Sequence, residues 1–233
     1  MNALGGRIVE GGIHFDGSVI HVNHSAFEHG RPSLGKLGDR LGRSYDRAGV
    51  VPYDVVENVA VIGIEGTLVH KGAYVGASSG RTSYQGLQTQ VIKAGKDPAV
   101  KAVVFEVDSF GGEAAGAFET ADLISRLSAQ KPTLAILTDF AFSGGYLLAA
   151  AARQIVAPAN GGAGSIGAVT LHADMSRKLA NDGIAVTVLA AGKHKAEANS
   201  FSPLADDAKA RILARLEGAR QIFAEHVGRY RGA

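Results

Sequence analysis

KAVVFEVDSFGGEAAGAFETADLISRLSAQKPTLAILTD, residues 101–139, decides the fold. KAVVFEVDS (101–109) is a β-branched apolar run of the length of a buried strand, EAAGAFETADLISRLSAQ (113–130) has helical spacing, and PTLAILTD (132–139) is again a strand. A strand, a helix-length crossover and a second strand make a βαβ unit, which sets the two strands parallel. The same alternation continues on both sides. Upstream lie VAVIGIEG (59–66) as a strand and SYQGLQTQVIKAGKD (83–97) as a helix. Downstream, FAFSGGYLLAAAAR (140–153) opens a helix and RQIVAP (153–158) returns to strand. GSIGAVTLHA (164–173), the helix DMSRKLANDG (174–183) and IAVTVLAAG (184–192) carry the alternation on, and residues 206–230 close with a long helix. The expectation is an α/β fold, a mostly parallel sheet with flanking helices.

Composition sets bounds on the chemistry. The chain has 233 residues, 46% of them apolar, enough for one substantial core. A formal charge of +2 gives no bias toward nucleic acid. The absence of cysteine removes disulfides, thiolate metal sites and a cysteine nucleophile together. No stretch reaches the ~18 continuous apolar residues of a membrane span, and the N-terminus lacks a signal-peptide apolar run. Residues 1–50 show no sustained period and read as a loosely packed N-terminal extension ahead of a catalytic domain at 51–233. Their histidines, His14, His21, His24 and His29, have no companion carboxylate pattern, so no metal site and no cofactor is expected.

Three segments could carry chemistry. Phe142-Ser143-Gly144-Gly145-Tyr146 puts a serine where a strand ends and an alanine-rich helix begins. There the amides and positive end of the helix can stabilise a developing oxyanion, although a serine N-cap is the commoner use of such a position. Ser109-Phe110-Gly111-Gly112-Glu113 places a glycine pair at another strand-to-helix junction. Such a pair suits a tight turn, or lets a substrate carbonyl approach main-chain N–H groups. No phosphate-binding glycine fingerprint is present, so nucleotide binding loses ground. The third is Gly192-Lys193-His194-Lys195, on a loop after an expected strand. A lysine there is ordinarily a solvated charge, but a buried one has a lowered pKa and can take a serine proton. His172 and His194 also follow the serine without a recognisable triad context. The Ala and Gly around Ser143 point to small apolar substrate side chains near a cut.

Taken in order, VAVIGIEGTLVHKG, TSYQGL, DSFGGEAAGAF, FAFSGGYLLAAAA, GSIGAVTLHADMSRKLANDGI and AGKHKAEANSFSPL resemble the signal peptide peptidase A (protease IV) family. LVHKG and the AGKHK segment resemble more closely its phage branch, the capsid protein C or prohead proteases. The resemblance implies a ClpP/crotonase-like fold and a serine endopeptidase with a serine–lysine dyad. It puts the nucleophile at Ser143 and the general base at Lys195, with Lys193 less favoured. It also implies Ser165 as a serine that orients the lysine, Gly112 and Gly144 as oxyanion donors, and Gly111 as the residue shaping that loop. The family commonly has Ser-Pro-Gly-Gly where this chain has Ser109-Phe110-Gly111-Gly112, which changes the loop beside the glycines. Further implications are cleavage of capsid, portal or scaffold proteins and of the protease itself, a homo-oligomeric ring, and a place in the host cytoplasm inside an assembling procapsid. Rival readings are a cellular signal-peptide-peptidase-like protease, crotonase-like acyl-CoA chemistry with Glu113 as the acid, and an inactive assembly or scaffold protein on the same fold.

Overall fold

The computed structural model describes residues 51–72 and 75–232, so the expected extension at 1–50, with its four histidines, lies outside the described residues. Strand β1 (Asp54–Val56) leads into β2 (Val59–Val69), followed by β3 (Ala77–Ser78), β4 (Arg81–Ser83) and helix α1 (Tyr84–Lys96). Then come β5 (Ala102–Gly112), α2 (Ala117–Gln130), β6 (Thr133–Phe142), α3 (Gly144–Ala150), β7 (Gln154–Val156), β8 (Gly162–Gly164), α4 (Ser176–Asn181) and α5 (Asp206–Arg231). The sheet runs β3-β4-β2-β5-β6-β7, with β1 on β2 and β8 on β6. Among the described residues only the β1–β2 and β3–β4 pairs are antiparallel. It is the expected mixed α/β architecture, a mostly parallel sheet with flanking helices.

Alternation along the strands decides which face is covered. Ala60, Ile62 and Ile64 of β2, Val103, Phe105 and Val107 of β5, and Ala135 and Leu137 of β6 are all buried. They point to one face, where α1, α2 and α3 supply Leu87, Val91, Ile124, Leu127, Leu147 and Leu148. Each such side chain contributes roughly 1.5–3 kcal/mol by leaving water. The opposite face carries Val61, Val104, Leu134 and Ile136, only half-buried.

Two boundaries move for local reasons. Helix α1 begins where Ser83, as N-cap, accepts the Gly86 N–H (2.9 Å). Helix α2 starts at Ala117 rather than at 113, because Glu113 N–H is still bonded to the Leu68 carbonyl (2.9 Å) and the chain turns at Gly116, φ +87°. The larger difference lies beyond α3. From Arg153 to Asp207 no residue is buried. The expected strand at 184–192 forms no ladder, and of 164–173 only Gly164 belongs to a strand, the end of β8. Ile184, Val186 and Val188 keep their strand-like alternation but are exposed, because no other strand of the described chain lies beside them. An extended segment without a neighbour has nothing to receive its N–H and C=O groups except water.

Candidate active site

The carboxyl ends of β5 and β6 converge on Ser143. Its backbone has φ +50° and ψ −125°, outside the regions open to an L-residue at low cost, and its side chain makes no capping bond to α3. The serine N-cap reading therefore does not hold. A cap has extended backbone and accepts an amide proton, and Ser143 does neither. Its N–H donates to the Gly164 carbonyl (2.8 Å), fixing the corner from below. Its hydroxyl has no hydrogen-bond partner among the described residues.

Gly111 lies against this hydroxyl. It has φ +93°, and a Cβ added there would fall 2.7 Å from Ser143 Cβ, 3.0 Å from Ser143 Oγ and 2.8 Å from Gly144 N. Only glycine fits. Gly112 is equally constrained from the other side, where a Cβ would sit 1.9 Å from the Leu68 carbonyl oxygen. Leu68 is its ladder partner, and the Leu68 carbonyl takes its proton from Glu113. In a parallel ladder the paired residue between two bonded neighbours turns its own N–H to the far side. For Gly112 that side is the one holding β6 and Ser143. Gly144, at the first position of α3, has an N–H with no acceptor inside the helix. By ladder geometry the Gly112 N–H is thus aimed to the Ser143 side, and Gly144 opens the helix that follows the serine; paired amides of this kind can stabilise a developing oxyanion.

Two residues that sequence reasoning gave no role brace the corner. Ser109 is fully buried; its hydroxyl donates to the Gly66 carbonyl (2.6 Å) and accepts the Gly111 N–H (3.0 Å). Tyr84 is also fully buried, its hydroxyl donating to the Glu113 carbonyl (2.9 Å). A Cβ on Gly144 would come 3.0 Å from that hydroxyl. Burial, with the Glu113 charge adding, pushes the Tyr84 phenol well above its ordinary range. Both lie in segments quoted for the family resemblance, DSFGG and TSYQGL. Their bracing roles depend on which carbonyls the fold brings near, and no local spacing encodes that.

The fold brings Gly111, Gly112, Ser143 and Gly144 together, and Ser165 follows the Gly164 that is bonded to Ser143. Ser165 too has positive φ, +57°. Lys193 and Lys195 are exposed on a turn of the unburied 153–207 segment, and no hydrogen bond joins either to Ser143 among the described residues. That turn is organised. Lys195 N–H donates to Gly192 O (3.2 Å), Glu197 is paired with both His194 and Arg211 of α5, and Asn199 Nδ2 donates to Ala196 O (2.7 Å). His172 is engaged with the Asn199 carbonyl (2.9 Å). Hydrogen bonding to His194 and to Arg211 holds the Glu197 carboxyl below its usual range. Glu113, the acid of the acyl-CoA reading, spends a carboxylate oxygen on the His70 N–H (2.6 Å). No cluster of three or more His, Asp or Glu that could hold a metal occurs among the described residues.

Against known proteins, residues 125–233 match the sequence profile of peptidase family S49. The chain is 35% identical over 180 residues to capsid assembly protease C of Escherichia phage lambda, covering 77% of this chain and 41% of that one. It is 38% identical over 180 residues to head-tail preconnector protein GP5 of Enterobacteria phage P21, covering 77% and 36%. The similarity to family S49 thus falls on the C-terminal 109 of the 233 residues. Protease 4 of Haemophilus influenzae is 29% identical over 208 residues, 87% of this chain and 32% of that one. The chain thus spans about two fifths or less of the length of these relatives. Among solved structures, a probable enoyl-CoA hydratase from Mycobacterium smegmatis overlays partially, with TM-score 0.38 and 19% identity over 74% of this chain and 82% of that one. Among the described residues no helix is long and apolar enough to cross a membrane.

Proposed function

We propose that the chain is a serine endopeptidase of the S49 type in which Ser143 is the nucleophile, Lys195 the general base, and Gly112 and Gly144 the oxyanion donors. The observation that carries this reading is the strained, uncapped Ser143 packed against Gly111. Strain of about 1–3 kcal/mol at one serine persists only where the surrounding structure holds it, and such residues cluster at active sites. Neutral Lys195 takes the Ser143 hydroxyl proton as its oxygen attacks a peptide carbonyl carbon, and the oxyanion is held by the two N–H groups. The resulting ammonium gives its proton to the leaving amine, and a water deprotonated by the same lysine releases the acyl group. Ser165 orients the amine, and Gly111 keeps the space beside the hydroxyl open.

In one chain Lys195 is exposed and unbonded to Ser143, so the reading requires a second copy. The 153–207 segment of one copy lies against the Ser143 corner of the next, burying its apolar residues and the Lys195 ammonium together. Burial lowers a lysine pKa and supplies the neutral amine. Repeated around an axis, such head-to-tail contacts close a ring. Capsid, portal or scaffold proteins in an assembling head are the proposed substrates. Support comes from the capsid assembly protease and head-tail preconnector among the relatives; the same reading places the enzyme in the host cytoplasm, within a procapsid.

The test mixes two inactive proteins. Ser143→Ala and Lys195→Ala should each fail to cleave candidate head proteins, and a mixture should regain activity because some sites combine an intact serine with an intact lysine. Full activity of Lys195→Ala alone would remove the lysine from the mechanism. Mixed assemblies without recovery would place both groups in one chain.

A further inference from the structure

The phenylalanines beside the serine form a cluster whose position is set by the strand ends. Phe110 precedes the glycine pair, and Phe142 precedes Ser143. Ser109 of β5 pairs with Ala141 of β6, and both are buried, so Phe110, Phe140 and Phe142 project to the opposite face, away from the helices. Their ring centroids are 5.3 Å (110–140), 5.6 Å (110–142) and 5.7 Å (140–142) apart. Phe110 is 67% exposed although it has two ring partners. Below the rings on the same face come Asp108 and Glu106 of β5, two and four residues before Phe110, with Glu65 of β2 paired beside Asp108. Glu65 and Glu106 are exposed, and none of the three carboxylates has an ion pair among the described residues.

We propose that this aromatic shelf and its acidic apron form a substrate-selecting surface, which takes an aromatic or large aliphatic side chain next to the scissile bond and a lysine or arginine a few residues away. The proposal rests on the peptidase reading and gives its substrate class. A consecutive residue is only about 3.8 Å distant Cα to Cα, so a group resting on Phe110 or Phe142 is held beside Gly111 and Ser143. The rings offer apolar area at low entropic cost, and the carboxylates, about 7 and 13 Å along β5 at 3.3 Å per residue, offer charge complementary to a basic flank. Alanine and glycine around Ser143 suggest small side chains at the cut, but those residues face the helices or shape the backbone. The phenylalanines face outward.

The experiment measures both binding and cleavage with the full chain. Ser143→Ala protein is titrated with labelled peptides of one length: Phe with two flanking lysines, Ala in place of Phe, and Glu in place of the lysines. The Phe/Lys peptide should bind tighter than either by at least about tenfold. Phe110→Ser in that background should abolish the Phe/Ala difference, Phe110→Leu should retain most of it, and Glu65→Gln with Glu106→Gln should weaken only the preference for lysine. Phe110 is exposed, so its truncation opens no core cavity. Cut sites made by the unmodified protein in an unfolded test protein, read by mass, should show the same preference. Equal binding of Phe and Ala peptides overturns the proposal. So does a Phe110→Ser protein whose copies separate in sedimentation while its selectivity is unchanged, since the rings would then be a contact between copies. Selective binding without hydrolysis would sink the peptidase reading and leave the surface standing, and hydrolysis without selectivity would do the reverse.

Discussion

Ser143 combines a strained backbone with a hydroxyl that makes no capping bond. Ser143→Gly removes both hydroxyl and strain, since glycine adopts positive φ freely. Its unfolding free energy from urea titration should therefore rise by about 1 kcal/mol, with a higher midpoint, while hydrolysis is lost. A lower midpoint would mean that the corner is not strained. Gly111→Ala makes the opposite experiment, adding a methyl 3.0 Å from the hydroxyl at φ +93°. Cleavage should fall by about 10²–10³-fold, as when an oxyanion donor is misplaced, with the circular dichroism spectrum retained. The position of the serine at a strand–helix corner was legible in the sequence. Its strain was not, because φ at a single residue is imposed by Gly111, Gly164 and Ser109, which reach it through the sheet.

At the scale of elements, α5 is fastened at its C-terminal end. Phe223 and Val227 are buried, Tyr230 OH donates to Asp122 of α2 (2.5 Å), Arg229 reaches the same carboxylate (2.7 Å), and Arg231 donates to the Ala152 carbonyl (2.9 Å). Further back in the helix only Ala208 is buried. Tyr230→Phe should cost about 1 kcal/mol, because Asp122 keeps Arg229 as a partner. Tyrosines also set the alkaline limit. Burial, with Asp97 adding, pushes Tyr53 up to about 12, and burial together with Asp122 raises Tyr230. A phenol whose folded value lies above its unfolded value of about 10 contributes stability that is intact below pH 10 and lost as pH rises through the folded value. Between pH 10 and 12 the urea midpoint should fall, and Tyr53→Phe should flatten part of that fall. The long final helix was readable from its period, but not which of its turns would pack.

For the whole molecule, the informative region is the one without a core. Ile184, Val186, Val188 and Leu189 are all exposed, Leu189 at 90%, and all belong to the segment that carries Lys195. If copies bury them, Val186→Asp should shift sedimentation toward the single chain and abolish cleavage while the thermal unfolding of the β5–β6 body is unchanged. A variant that still assembles and cleaves would separate this segment from the assembly. The sequence reading expected IAVTVLAAG to join the sheet, and its alternation is genuine. A strand period states only that one side will be buried, and the partner that buries it need not be in the same chain.

By itself the sequence determined the parallel α/β core, since β-branched runs bounded by helix-length crossovers leave few other ways to bury their apolar faces. It also determined the two glycine corners and the types of residue that could serve as nucleophile and base. Tertiary structure decided what depends on atoms distant along the chain. It set Gly111 against the Ser143 hydroxyl, gathered three phenylalanines on the open face, and left Lys195 on a segment that the core of the described residues does not cover. Short-range pattern records which side chains must leave water, while the identity of the groups they meet is set by strand order, and only folding supplies that.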